Sequence, residues 1–184
     1  PYIETAPVLS GTYGETLKAM IQSGNAKVVT AEGSEIVLTG TWSVTNAAQE
    51  AVYPAYKDTQ AYSLTFTPTG AGAEKYGTVD CEVVPQVAQK EITVGIQRVT
   101  RRYGDIDSAF GYIVKPNELA PCDTEKDLGI VLTTDANRMS RVGTYKINGS
   151  WNNENYRVNF MGLDSSDNWS IPGHGELVIT RTVN

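Results

Sequence analysis

The chain of 184 residues is short of most groups that do chemistry. It has one histidine, His174, set between two glycines, and two cysteines, Cys81 and Cys122. A transition-metal site built from imidazole and thiolate needs three or four such ligands close together, so this inventory argues against one. Nucleophilic catalysis that relies on an imidazole base is narrowed to a single residue. No Gly-x-Ser-x-Gly elbow, phosphate-binding Gly-rich loop, His-Glu-x-x-His or Cys-x-x-Cys is present. No cofactor is expected. No run of eighteen apolar residues occurs, and the chain does not open with a basic segment followed by an apolar core. Membrane insertion of this stretch is therefore not expected, and its abrupt ends read as those of a piece cut from something longer.

Positive charge is also scarce. Fifteen Lys and Arg stand against twenty-one Asp and Glu, a formal net charge of −6. A phosphate-binding surface needs a basic face, so nucleic acid and anionic membranes are excluded as expected partners. The deficit is uneven. Residues 1 to 95 carry no Arg and a net of −5, whereas residues 96 to 184 carry all seven Arg and a net of −1.

What remains is 40% hydrophobic and 20% charged, ordinary values for a folded chain. The organising stretch is Gly143 to Phe160, GTYKINGSWNNENYRVNF. Tyr145 and Ile147 alternate with polar residues, as do Tyr156, Val158 and Phe160, and GSWNNEN between them is rich in turn formers. This predicts a two-stranded hairpin with one dry face. A similar order recurs about eighty residues upstream, in Ala61 to Pro68 and Lys75 to Val83. A second anchor recurs at an offset of ninety: Thr12-Tyr13-Gly14-Glu15 against Arg102-Tyr103-Gly104-Asp105. Self-similarity at this period predicts two copies of one small module, residues 1–94 and 95–184. A module of about ninety residues can bury a modest core without metal or disulfide support. The expected fold is all-β, as two tandem small modules that are either Ig-like sandwiches or β-grasp-like sheets, with at most one short helix in each. Sequence periodicity does not decide between those topologies.

In chain order, Val8 and Leu9 are expected on an edge strand, and Glu15 to Ile21 forms the best helix candidate through Leu17, Met20 and Ile21. Lys27 to Thr30, Ser34 to Thr41 and Trp42 to Val44 read as strands. So do Ile96 to Thr100, Phe110 to Val114, Gly129 to Thr133 and Glu176 to Val183. Pro85 should end a strand. Asn117 is a candidate cap for a short helical turn, and Gly162 to Gly175 reads as a long loop. Tyr13 and Tyr103 are expected to tuck their rings into the core while the following Gly takes a positive-φ turn.

The series RYGDID, VGTYKINGS, ENYRVNF and GELVIT resembles the bacterial surface modules called MBG domains of the Tyr-Gly-X type. The first copy, through GTYGETL, TGTW, YSLTFTPT and YGTVDCEV, is similar to related Ig-like repeats of large bacterial surface proteins. The resemblance implies a non-catalytic, extracellular module of a cell-surface protein, acting as an adhesion or spacer repeat and monomeric within a longer multimodular chain. It supplies no catalytic residues. A host or cell-wall glycan, or a protein, is the ligand class it leaves open.

The alternative is a carbohydrate-binding module. Sugar rings stack on exposed aromatics flanked by amide and carboxylate groups, and Trp151, Asn153, Asp167 and Trp169 fall in segments read as loops. Trp151 and Trp169 could instead fold back onto the ends of the core. Asp164 to Asn168 alternates oxygen donors in a way that suits Ca²⁺, but without the Gly and distal Glu of a regular calcium loop, so a solvated turn is the favoured reading. Cys81 and Cys122 fall in different copies and are expected to be unpaired thiols.

Overall fold

In the computed structural model, which describes residues 1–22, 24–29 and 32–182 (of 28 and 29 the backbone only), the chain is nearly all β, with 46% strand and only short helical turns. It divides into two compact units, Pro1–Gln89 and Lys90–Asn184.

The first unit contains β1 (Tyr2–Thr5), β2 (Val8–Thr12), β3 (Ile21–Gln22), β4 (Asn25–Val29), β5 (Glu35–Leu38), β6 (Gly40–Val44), β7 (Tyr62–Pro68), β8 (Val79–Val83) and β9 (Gln86–Ala88). They form three three-stranded sheets, ordered β1-β4-β5, β3-β2-β9 and β6-β7-β8. β2 is an interior strand with Leu9 fully buried, not the edge strand its Pro-containing lead suggested. Pro7 ends β1 before it, and Pro85 separates β8 from β9. The helix expected over Glu15 to Ile21 is a single 3-10 turn at Lys18–Met20. Two N–H groups that a longer helix would leave open are taken by tertiary partners instead: Leu17 N–H donates to Val52 O at 2.7 Å and Lys18 N–H to Glu50 O at 3.2 Å. So short a segment lacks the length to be helical by propensity. The burial of Leu17 and Met20 fixes its place. The strand expected over Ser34 to Thr41 is split between β5 and β6. Thr30, expected to end a strand, lies outside the described residues.

Tyr62, Leu64 and Phe66 on β7 are buried while the residues between them are more exposed. β7 and β8 pair antiparallel from Tyr62↔Val83 to Phe66↔Val79, so this segment is the expected hairpin. Phe66 lies in a core with Ala26 and Leu38, and Trp42 meets it edge-on at 5.3 Å between centroids.

The second unit contains β10 (Lys90–Ile96), β11 (Val99–Arg102), β12 (Tyr112–Val114), β13 (Val131–Thr133), β14 (Gly143–Ser150), β15 (Tyr156–Leu163), β16 (Trp169–Pro172) and β17 (Gly175–Thr180). They form two four-stranded sheets, β12-β10-β15-β16 and β11-β17-β14-β13. β10 runs parallel to β15, from Lys90↔Tyr156 to Ile96↔Gly162, and β11 runs parallel to β17. Ile96 of one sheet packs with Ile147, Leu177 and Ile179 of the other, with Phe160 against the same cluster, so the two sheets share one core.

Three expectations change here. The stretch Ile96 to Thr100 is not one strand: β10 ends at Ile96 and β11 begins at Val99 in the other sheet. The long loop contains β16, which pairs with β15. The organising stretch is not a hairpin. β14 pairs with β17 and β13, and β15 pairs with β10 and β16, so the chain crosses from one sheet to the other at residues 151–155. The face assignment stands nonetheless, since Tyr145 and Ile147 are less exposed than the residues between and beside them on β14, as are Tyr156 and Val158 over Tyr156–Asn159 of β15, and Phe160 packs against the shared core. Gly149 shows the face-to-face packing directly, because a Cβ there would run into the Phe160 ring. Val183, expected to close the last strand, lies outside the described residues.

The Tyr-Gly-acid anchors adopt the same local structure in both units. Tyr13 N–H extends the parallel β2–β9 pairing to Ala88 O, and Tyr103 N–H extends the β11–β17 pairing to Thr180 O, each at 2.9 Å. A turn follows in each, closed by Glu15 N–H to Thr12 O and by Asp105 N–H to Arg102 O. Gly14 and Gly104 sit third in these turns with φ of 97° and 85°, a conformation glycine adopts without penalty. The rings differ, and Tyr103 corrects the expectation: Tyr13 is buried, but Tyr103 is 41% exposed.

Candidate functional site

The corner at 151–155 is built by bonds to other segments. Asn152 N–H donates to Leu128 O at 3.3 Å, Asn153 Nδ2 donates to Asp127 O at 3.0 Å, and Lys90 N–H donates to Asn155 O at 2.9 Å. Asp127 itself closes a 3-10 turn at Glu125–Leu128: its carboxylate accepts from the Thr124 N–H at 2.7 Å and from the Thr124 hydroxyl at 2.8 Å. Those bonds hold the Asp127 carboxyl below its ordinary pKa. Thr124, not Asn117, is the cap. The Thr-x-x-Asp spacing was a readable signal, whereas Asn117 takes a left-handed φ of 65° outside any helix.

Trp151 is 38% exposed. Its Nε1–H donates to Tyr156 O at 3.0 Å and its ring lies 6.2 Å from Phe160, tilted. Trp169 packs elsewhere. A Cβ built on Gly95 would lie 2.9 Å from the Trp169 ring and 2.8 Å from Leu163. Because Val94 and Ile96 point into the core, that Cβ direction is the opposite face of the sheet. Trp151 and Trp169 therefore pack against different neighbours, on opposite faces of the β12-β10-β15-β16 sheet. Asn153 is committed to the corner, its Oδ1 accepting from Asn155 N–H at 3.0 Å.

Asp167 has a third setting. It takes φ 59° in the turn before β16 and lines an open polar depression of about 400 Å³ with Gln97, Arg98, Thr100 and Ser108. Arg98 pairs with Glu176 at 2.7 Å at this place. Of the four candidate ligand contacts, Asp167 and Trp169 lie two residues apart at the start of β16, and Trp151 and Asn153 belong to the corner.

The Asp164 carboxylate accepts hydrogen bonds from Asn168 N–H, Ser166 N–H and Asn168 Nδ2, at 2.8 to 3.3 Å. These bonds, led by the Asn168 N–H, lower its pKa. Its oxygens thus serve the turn itself. Among the described residues no group of three or more His, Cys, Asp or Glu is placed to hold a metal ion. His174 Nδ1 lies 3.0 Å from Gly175 O. No disulfide joins Cys81 and Cys122, and burial raises the pKa of Cys81.

Two buried polar anchors escaped the sequence reading. Tyr156 is fully buried. Its hydroxyl donates to Asp123 Oδ2 at 2.6 Å and accepts from Ala120 N–H at 3.2 Å, and burial, then the Asp123 bond, pushes its pKa up. Arg101 is the one buried charged residue recorded among the described residues. It pairs with Asp107 and donates to Asn137 O at 2.7 Å and to Arg102 O at 3.2 Å. An Arg on a strand reads as solvent-facing; here the partner six residues along, Asp107, was the available signal.

An MBG domain (YGX type) is found at residues 92–162. The match spans β10 to the greater part of β15, including the Tyr103-Gly104 turn and the sheet-crossing corner, and ends before β16 and β17. MBG domains are non-enzymatic repeat modules of a bacterial surface-protein type. Neither a curated protein nor a solved structure matches the chain. No helix among the described residues is long and apolar enough to cross a membrane.

Proposed function

We propose that this chain is a non-catalytic extracellular segment of a bacterial cell-surface protein, an adhesion or spacer module, monomeric within a longer multimodular chain. The observation that carries the reading is the MBG domain at residues 92–162, folded as part of a two-sheet unit with one shared core. A rigid sandwich that presents loops at its ends suits display and spacing. An antibody raised against the 184-residue chain should label intact cells of the source bacterium, and trypsin added to those cells should remove the signal. Labelling that appears only after permeabilisation would sink the proposal.

The polar depression at Asp167 favours a second reading, in which the second unit binds a glycan. Trp169, two residues on, would be the stacking surface, while Gln97, Arg98, Thr100 and Ser108 offer the donors and acceptors that sugar hydroxyls require. Trp151 and Asn153 would then hold the corner that supports the sheet. On a glycan and mucin array the whole chain should bind a restricted set of glycans, and Trp169→Ala and Asp167→Ala should each remove that signal. Signal retained in both variants would exclude this site.

A further inference from the structure

Tyr103 is exposed where Tyr13 is buried, and it is not alone. Ile106 is 75% exposed, Met139 73% and Val142 50%. Large apolar side chains this open are costly to leave in water, and when several gather in one place they mark a contact surface. These do gather. Arg138 Nε–H donates to Gly104 O at 3.0 Å, and buried Arg101 reaches both Asp107 and Asn137 O, so the 103–107 turn and the 137–142 loop are bound side by side. Both segments belong to the second unit.

The charges around them are specific. Arg138 and Arg141 are exposed within the 137–142 loop, Arg102 is exposed directly before the 103–107 turn, and no Lys lies in either segment. Tyr, Ile and Met interleaved with Arg, and without Lys, is the composition of protein contact surfaces rather than of a solvated face. Arg is weakly hydrated and forks onto carboxylates, so it can be buried against an acidic partner at lower cost than Lys. Asp105 and Asp135 stand among the arginines, so the cations are separate points that spaced carboxylates can meet, not the continuous basic face that a membrane or polyanion needs, and a polyanion would also leave Ile106 and Met139 uncovered.

From this juxtaposition we infer that the paired 103–107 and 137–142 loops form a docking surface for an acidic polypeptide segment bearing apolar side chains, with carboxylates placed on Arg102 and Arg141 and apolar groups on Tyr103, Ile106 and Met139. The inference narrows the adhesion reading to a ligand class. Its failure is separable from that reading, because surface labelling of cells does not depend on these residues.

The test uses the whole chain and four defined probes: a twelve-residue peptide of Glu and Asp interspersed with Leu and Tyr, the same peptide with Ser in place of Leu and Tyr, a Lys and Leu peptide, and phosphatidylglycerol vesicles. The first should bind at least about tenfold tighter than the other peptides, with an affinity that falls as salt rises. Ile106→Ser with Met139→Ser should weaken that binding about tenfold or more while leaving the melting temperature unchanged. Arg102→Gln with Arg141→Gln should flatten the salt dependence. Equal binding of the Ser peptide, binding of the vesicles alone, no binding of any probe, or full affinity in the Ile106 and Met139 variant would each overturn the inference.

Discussion

β7 and β8 of the first unit, and β14 and β15 of the second, start from the same kind of sequence: two alternating runs joined by a Gly-containing polar link. One pair closes on itself as a hairpin and the other parts into two sheets. The difference lies in the links. Ala73 N–H donates to Gly70 O, and Lys75 and Tyr76 N–H both donate to Gly72 O, so residues 69–78 turn largely within themselves and return the chain to its neighbour. Residues 151–155 spend bonds on Asp127, Leu128 and Lys90, and these carry the chain across to a strand already waiting, β10. Alternation encodes which side of a strand is dry. It does not encode the strand beside it, because every strand edge presents the same N–H and C=O groups.

The largest effects that would break this comparison are in the cores. Ile147→Ala and Leu64→Ala, both fully buried, should each cost about 2 to 5 kcal/mol in denaturant unfolding. Thr144→Ala, on the exposed face of β14, should stay within about 0.5 kcal/mol. An equal cost at Thr144 and Ile147 would contradict the face assignment.

Next comes the crossing itself. Gly149→Ala should cost about 1 to 3 kcal/mol by crowding Phe160, and in a Phe160→Leu background the added cost should shrink markedly. Strict additivity would mean that the two residues do not face each other across the sheets.

Tyr156→Phe removes a hydroxyl that serves both Asp123 and Ala120. It should cost about 1 to 3 kcal/mol, more than Tyr62→Phe in the first unit, where the phenol meets Asp58 at 3.1 Å. If the Tyr62 change costs more, the corner does not depend on this anchor.

The smallest effect is in pH. Burial, then a carboxylate partner, raises the pKa of both tyrosines. A raised folded-state pKa means that their contribution is complete below the ordinary tyrosine value of about 10 and is lost as pH rises above it. Melting temperature should therefore fall above about pH 10, and Tyr156→Phe should make the fall shallower. Asp127 and Asp164 act at the other end, since lowered pKa values give a contribution that is lost as pH falls below about 4.

The fold class, the dry faces of β7, β14 and β15, and the two Tyr-Gly turns were legible because they follow from residue spacing and from glycine's backbone freedom. The parallel pairings β10–β15 and β11–β17 were not, since each joins residues more than sixty apart. Of the candidate site, the sequence located the aromatic and polar residues but not their surroundings. Trp169 reads as a loop residue until β16 is seen to pair with β15 and lay the ring over Gly95. Tyr103 reads as a core aromatic by analogy with Tyr13, and only the structure shows it open, in the turn whose Gly104 carbonyl Arg138 binds. Arg101 was hidden by charge: Asp107 lies six residues along, but the Asn137 carbonyl that completes its burial lies thirty-six residues away.

The most direct test of the crossing is a set of inter-strand nuclear Overhauser effects in the isotopically labelled chain. The account predicts backbone contacts of Val158 with Ile92 and of Tyr145 with Leu177, in the registers of β10–β15 and β14–β17. Backbone cross-strand contacts between residues 143–150 and 156–163, in the ladder pattern of an antiparallel hairpin, would contradict it.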